Sequence, residues 1–254
     1  MILAACEARP KEREKLLTGL ITKADKLKTA RNRKQLFLLA LACLETCVEL
    51  APDVRQLVLE KAAPLFPPQD EDDVKMMAAA GSPAVSLLKY NQDYAGEEAA
   101  RCVKTLGMIG SNQALHMIKE FANDSDDRWQ IRNEIGRAWE QFDRCKYAKE
   151  VLINCKQISL FDHLSWEGFE HLSHIEWLML VNSQATNITP IKKLQNLRRL
   201  NLSNFHGLSD LSPLQYAQKI EILGFQFCDK IYDLNPLSGL RKLQSLQLYH
   251  CVQV

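Results

Sequence analysis

The sequence predicts two architectures in one chain: an α-helical domain over residues 1–150, then an α/β solenoid with a small parallel sheet over residues 151–254. Three observations carry this prediction. The last third writes one apolar pattern four times, as Ile175-x-x-Leu178-x-Leu180, Leu197-x-x-Leu200-x-Leu202, Ile220-x-x-Leu223-x-Phe225 and Leu243-x-x-Leu246-x-Leu248, with starts 22, 23 and 23 residues apart. Three copies close with a second pattern: Ile188-Thr-Pro190-Ile191, Leu208-x-x-Leu211-x-Pro213-Leu214 and Ile231-x-x-Leu234-x-Pro236-Leu237. Upstream of them, apolar residues recur at helical spacing, interrupted by Pro, Gly and acidic turns.

Within each copy the last two apolar residues alternate on a short strand and point inward, while their neighbours face out. The closing turn returns the chain along the other side, where Pro213 and Pro236 suit a segment that donates no ladder hydrogen bond. Each buried side chain contributes roughly 1.5–3 kcal/mol, yet one repeat cannot bury its own, so stability rests on neighbours and capped ends. Self-similarity at this period resembles leucine-rich repeats, of a type similar to bacterial internalins. Cys228 and Cys251 hold one repeat position, which in that family takes Asn, Cys or another small residue. Ile158-Ser159-Leu160 reads as a degenerate first strand, backed by Trp166, Phe169 and Leu172, in a capping repeat. The fourth copy runs eleven residues beyond Leu243 with no polar cap. The expectation is therefore a chain cut short, or a last strand covered by something else.

The helical part begins with a basic segment over residues 9–34, whose Leu16, Leu17, Leu20, Ile21, Ala24 and Leu27 form one apolar stripe. Its charges are read as a solvated face, because no aromatic residues interleave them as a nucleic-acid surface would require. A strongly apolar helix follows over residues 34–50, and Pro52 opens another that runs to about residue 63. The acidic run at residues 69–73 lacks the turn glycine and terminal glutamate of a calcium loop, and is read as N-terminal charge for the next helix. From residue 96 the helices pair. Ala99, Ala100, Val103, Leu106 and Ile109 face Ala114, Leu115, Ile118 and Phe121, with Gly107 for close approach and Gly110 as a stop. Residues 123–127 are expected to cap a third helix carrying Trp129, Ile131, Ile135, Ala138, Trp139 and Phe142. A short acidic turn followed by Arg132 resembles HEAT-type repeats, so the expected class is a HEAT-like α-helical domain joined to a short leucine-rich-repeat solenoid.

A net charge of +1 in 254 residues makes no global demand for nucleic acid or an anionic membrane. No apolar run is long enough to span a bilayer, and residues 1–6 are too short for a signal peptide. The eight cysteines include no C-x-x-C and sit mostly in apolar stripes, which suits reduced thiols in a cytoplasmic protein. Catalytic motifs are missing: there is no Walker A sequence, no G-x-G-x-x-G and no G-x-S-x-G. His163, His171 and His174 are the one histidine cluster. His171 and His174 could share a helix face, but no carboxylate or cysteine stands at ligand spacing in a fixed element, and Glu167 and Glu170 read as surface residues, so no enzyme, metal or cofactor is expected.

Surface recognition remains. The outward strand positions form columns, of which Trp177, Arg199, Asn201, Ile222, Gln226, Gln247 and Tyr249 are the candidate partner-binding residues, rich in types that dominate protein interfaces. Trp177, with Met179 and Val181, could instead be covered by the preceding helices. The helical segment Ala99-Ala-Arg-Cys-Val-Lys-Thr-Leu-Gly-Met-Ile-Gly-Ser111, Arg132-Asn-Glu-Ile-Gly-Arg-Ala-Trp-Glu-Gln-Phe-Asp143 and Tyr147-Ala-Lys-Glu-Val-Leu152, followed by Leu208-Ser-Asp-Leu-Ser-Pro-Leu214, resembles the C-terminal region of bacterial NACHT-type STAND ATPases, relatives of NOD-like receptors. That resemblance implies a sensor and autoinhibitory region, acting on a neighbouring NACHT ATPase in innate immunity or antiphage defence. Without a Walker motif, no ATPase residue carries over. A free-standing scaffold or adaptor is the alternative.

Overall fold

The computed structural model describes residues 9–47, 49–162 and 165–251; His163, residues 1–6 and Val254 lie outside them. The chain divides into two compact units, Met1–Met117 and Ile118–Val254.

The first unit is helical: α1 (Pro10–Lys26), α2 (Ala30–Thr46), α3 (Pro52–Ala62), α4 (Glu71–Ala78), α5 (Ser82–Val85) and α6 (Gly96–Ile109), with α7 (Asn112–Ala122) crossing the division. Pro10 and Pro52 stand in first turns, where a missing N–H costs nothing. Gly110 ends α6 in the left-handed conformation, φ 65°. The stripe on α1 is real: Leu17, Leu20, Ile21 and Ala24 are buried against Phe37, Leu38 and Leu41 of α2 and Val54 and Val58 of α3. The segment expected to be one basic helix breaks at residues 27–29, so α2 starts four residues earlier than the sequence suggests. The acidic run does cap a helix. Asp70 accepts the Asp73 N–H at 2.8 Å, while Asp73 accepts the Gln69 N–H at 3.0 Å and pairs with Lys34. Glu71 pairs with Lys104 at 2.6 Å and Asp72 with Arg31 at 3.6 Å, so acidic and basic runs partly neutralise each other.

Among its described residues the second unit carries α8 (Trp129–Ala138), α9 (Arg144–Glu150) and five parallel strands in chain order: β1 (Gln157–Phe161), β2 (Trp177–Val181), β3 (Arg199–Ser203), β4 (Ile222–Gln226) and β5 (Ser245–Tyr249). Leu178, Leu200, Leu223 and Leu246 share one row, and Leu180, Leu202, Phe225 and Leu248 another. Short 3-10 turns at Thr189–Lys193, Ser212–Tyr216 and Asn235–Leu237 form the return path. Each is preceded by the same device: Asn187, Asp210 and Asp233 accept the N–H two residues on, at 2.7–2.8 Å. Ile175, Leu197, Ile220, Ile188, Leu208 and Leu214 are fully buried between sheet and turns. This is a leucine-rich-repeat-type solenoid. On β5, Leu246 and Leu248 occupy core rows yet are 39% and 36% exposed.

The start of the sheet differs from expectation. Residues 123–127 do not cap α8: its N-cap is Arg128, with no side-chain capping bond. Asp126 instead accepts the N–H groups of Lys156 and Gln157 at 3.0–3.1 Å. Helix α8 stops at Ala138, and Trp129, expected on its buried stripe, is 60% exposed. Along β1, the Lys156 carbonyl and the Asp162 N–H bond to β2, so the alternation turns the peptide groups of Gln157, Ser159 and Phe161 toward the free edge. Helix α8 closes that edge. A Cβ on Gly136 would stand 1.5 Å from the Ser159 carbonyl oxygen, so only glycine permits this approach. Helices α8 and α9 thus lie in the same compact unit as the strands.

Candidate protein-binding face

The candidate residues come to one face because all five strands pair without stagger. Trp177, Arg199, Ile222 and Ser245 form the first column, Met179, Asn201, Gly224 and Gln247 the second, and Val181, Ser203, Gln226 and Tyr249 the third. All seven predicted side chains therefore share the surface opposite the core. Their accessibility is unequal. Arg199, Gln226, Gln247 and Tyr249 are exposed, whereas Trp177, Asn201 and Ile222 are half-buried.

Trp177 is covered from within the unit. The Arg132 guanidinium lies 4.4 Å from its ring centroid, while Arg132 Nη1 donates to the Asp126 carbonyl and to Gln157 Oε1, both at 2.9 Å. One turn on, the Arg137 guanidinium lies 4.0 Å from the Phe161 ring. Burial lowers the Arg132 pKa from its ordinary value, partly offset by the Asp126 charge. Such stacked guanidinium groups are worth about 0.5–2 kcal/mol, more as water is excluded. The open part of the face thus begins at β3. At its centre Gly224 leaves a dip in which the Asn201 side chain rests; a Cβ there would meet Asn201 Oδ1 at 2.5 Å.

Two rows flank the columns, and neither was anticipated. Lys156, Glu176, Arg198 and Glu221 precede successive strands with alternating charge. Lys156 pairs with Glu176 at 3.8 Å, and Arg198 holds Glu221 through Nε and Nη2 at 3.0 and 2.6 Å. Together with Gln157, Trp177 and Arg199 they line a shallow cleft of about 350 Å³. At the other strand ends Asp162, Asn182, Asn204, Phe227 and His250 all adopt positive φ, 51–57°. Asp and Asn suit that conformation, but Phe does not. Phe227 is held there by stacking on His250, centroids 4.9 Å apart and planes within 2°. The alternating charges could have been found by aligning the degenerate first strand with the first three repeats, one position before each strand. The stack depends on backbone conformation, which no single residue announces.

The cysteine position of the repeats is confirmed. Cys228 and Cys251 turn their thiols toward the carbonyls of Leu202 and Phe225 in the preceding strands, at 3.6 and 3.7 Å. Burial pushes the Cys228 thiol up to about 11. Of the two described histidines of the predicted cluster, His174 Nε2 meets the Leu152 carbonyl at 2.9 Å, and His171 turns toward Glu170 and Cys145. No helix among the described residues is long and apolar enough to cross a membrane.

No protein-family model matches the chain. Toll-like receptor 9 of Mus musculus is 34% identical over 105 residues, which are 41% of this chain and 8% of that receptor. Among solved structures, internalin inlF of Listeria monocytogenes is 24% identical, covering 40% of this chain and 36% of that one, with a TM-score of 0.33. Internalin C2 of the same organism is 21% identical over 41% of this chain and 54% of that one, with a TM-score of 0.27. Sequence and geometry together define a leucine-rich-repeat-type region.

Proposed function

We propose that the chain is a non-catalytic protein-recognition module whose partner docks on the outward face of β3–β5. The observation that carries this is the unstaggered register, which gathers exposed Arg199, Gln226, Gln247 and Tyr249 around the Gly224 dip. A mixed polar and aromatic surface of this kind suits a folded protein partner, and Arg and Tyr side chains are frequent anchors. Trp177 contributes through Arg132, by holding the edge of that surface. The proposed partner is a protein, not nucleic acid or membrane. Seven free cysteines among the described residues suit a cytoplasmic setting.

The finer proposal is that the module is the ligand-sensing, autoinhibitory portion of a NACHT-type signalling ATPase in defence, with residues 1–150 as its HEAT-like helical domain. Its support is the resemblance of the segments around residues 99–111 and 132–152 to that family. The existence of two separately compact units favours the second reading, a scaffold that holds one protein on each. The first experiment is the mass of the native polypeptide in source cells, detected with an antibody to residues 172–254. A species far above 29.0 kDa with an upstream Walker motif supports the sensor reading, whereas a 29.0 kDa species removes it and leaves the scaffold. Binding itself is tested with Arg199→Ala and Tyr249→Ala against a purified partner. Each should lose about 1 kcal/mol or more with the fold intact; unchanged affinity in both moves the site off this face.

A further inference from the structure

We propose that Cys145, Glu170 and His171 form a zinc site that ties α9 to the turn opening the repeats. Cys145 lies in the first turn of α9, and Glu170 and His171 in the 3-10 turn Phe169–His171. The Cys145 Sγ lies 3.6 Å from Glu170 Oε1, which lies 3.6 Å from His171 Nε2; one ligand atom from each of the three fits within a 4.8 Å group. Metal–ligand bonds of about 2.0–2.3 Å place the corners of a zinc tetrahedron about 3.3–3.7 Å apart. Two of the three separations match these corners, and the third, between Cys145 and His171, is within 4.8 Å. Glu167 Oε1 lies 4.0 Å from the same sulfur, outside this group of three, which leaves the fourth corner to water or a ligand.

Donor chemistry selects the ion. A thiolate and an imidazole beside a carboxylate suit zinc, whereas calcium and magnesium take oxygen ligands. The frame is rigid. Gly168, at φ 89°, lets the turn approach α9 so closely that a Cβ would meet the Arg144 carbonyl at 2.8 Å and the Trp139 ring at 2.9 Å. Trp139 packs edge-on against both Tyr147 and Phe169, and the Tyr147 hydroxyl donates to the Ile135 carbonyl at 2.8 Å. Without metal the thiol faces Glu170, and desolvation together with that carboxylate raises its pKa. On binding, Zn²⁺ replaces the thiol proton, which leaves to solvent; no oxidant or reductant takes part.

The test uses the full chain, titrated with zinc and separately with cobalt(II). The expected result is one saturable zinc per chain, a thiolate-to-cobalt charge-transfer band, and an upward shift of the melting temperature with zinc. All three should vanish in Cys145→Ser and in His171→Gln, and persist in Cys251→Ser, the control at the other half-exposed cysteine. Circular dichroism of each metal-free variant confirms folding, and Glu170→Gln stands in for any variant that fails. Zinc binding unchanged in both Cys145→Ser and His171→Gln overturns the site, as does the lack of any saturable binding by the unaltered chain.

Discussion

Gly136 lies so close to the Ser159 carbonyl oxygen that a methyl group in its place would overlap it, at 1.5 Å. Glycine in a helix ordinarily costs about 0.5–1 kcal/mol relative to alanine. Here that gain is outweighed, because the atom it meets belongs to the backbone of β1 and cannot rotate away. Gly136→Ala should destabilise the chain by about 1–3 kcal/mol in denaturant unfolding. Gly19, exposed in α1 with nothing within 4 Å of a built Cβ, is the contrast. Gly19→Ala should stabilise by about 0.5–1 kcal/mol.

Asp126 satisfies two amides at the start of β1. Asp126→Ala should cost about 1–2 kcal/mol, in line with the loss of charge-assisted bonds to backbone N–H groups. The Gln157 amide, turned to the free edge, should gain the most in hydrogen exchange. Protection unchanged at that amide would show that α8 closes the edge without the carboxylate.

Trp177 and Tyr249 share a face but should behave oppositely. Trp177 is held under Arg132, whereas Tyr249 is 57% exposed. Trp177→Ala should lower unfolding stability by about 3 kcal/mol, as for a large aromatic truncation tempered by partial exposure. Tyr249→Ala should leave stability within about 0.5 kcal/mol and act on binding alone. Equal losses of stability would mean that the end of the sheet is closed by contacts other than those described.

The repeat turns contain an acid-sensitive element. The Ser212 N–H and hydroxyl both donate to Asp210, and this holds its carboxyl below the usual range. A lowered folded-state pKa gives stability that is present above the unfolded value and is lost as pH falls through the folded value. Asn187 holds the same turn position without titrating. Asp210→Asn should therefore keep the turn and flatten the acid limb of the melting-temperature profile, an effect kept small by full exposure. An unaltered acid limb would place that sensitivity elsewhere.

Thiol reactivity should separate the cysteines. Burial lifts Cys102 to about 12 and Cys155 to about 11, the latter against the lowering effect of its hydrogen bond with Ser125. Cys145 and Cys251 are half-exposed. Mass-spectrometric mapping of alkylation at pH 8 should find these two modified first among the described cysteines. Cys102 and Cys155 should react only on unfolding.

The strands were legible because their apolar spacing repeats: Leu178, Leu200, Leu223 and Leu246 fall in one row as their positions in the sequence require. The turns were legible through Pro190, Pro213 and Pro236. What closes the sheet was not. Gly136 acts by lacking a side chain, and Asp126 by reaching backbone groups some thirty residues away, so neither leaves a pattern. The acidic run before α8 looked like a helix cap because Asp and Ser serve helices and strand edges alike. Among candidate partner residues, spacing placed all seven on one face, but it could not tell that Arg132 would lie over Trp177. Cys145 escaped notice because its neighbours Glu170 and His171 are about 25 positions away and meet it only once Gly168 lets the turn approach.

The lateral order of the strands is also their order along the chain, and each touches only the strands beside it. A chain of such links has no single keystone. Pulled by its two ends, the sheet should peel from its margins one strand at a time, giving a sawtooth of small, similar force peaks. Only at β1, where Gly136 and Asp126 clasp the edge, should the first peak stand higher.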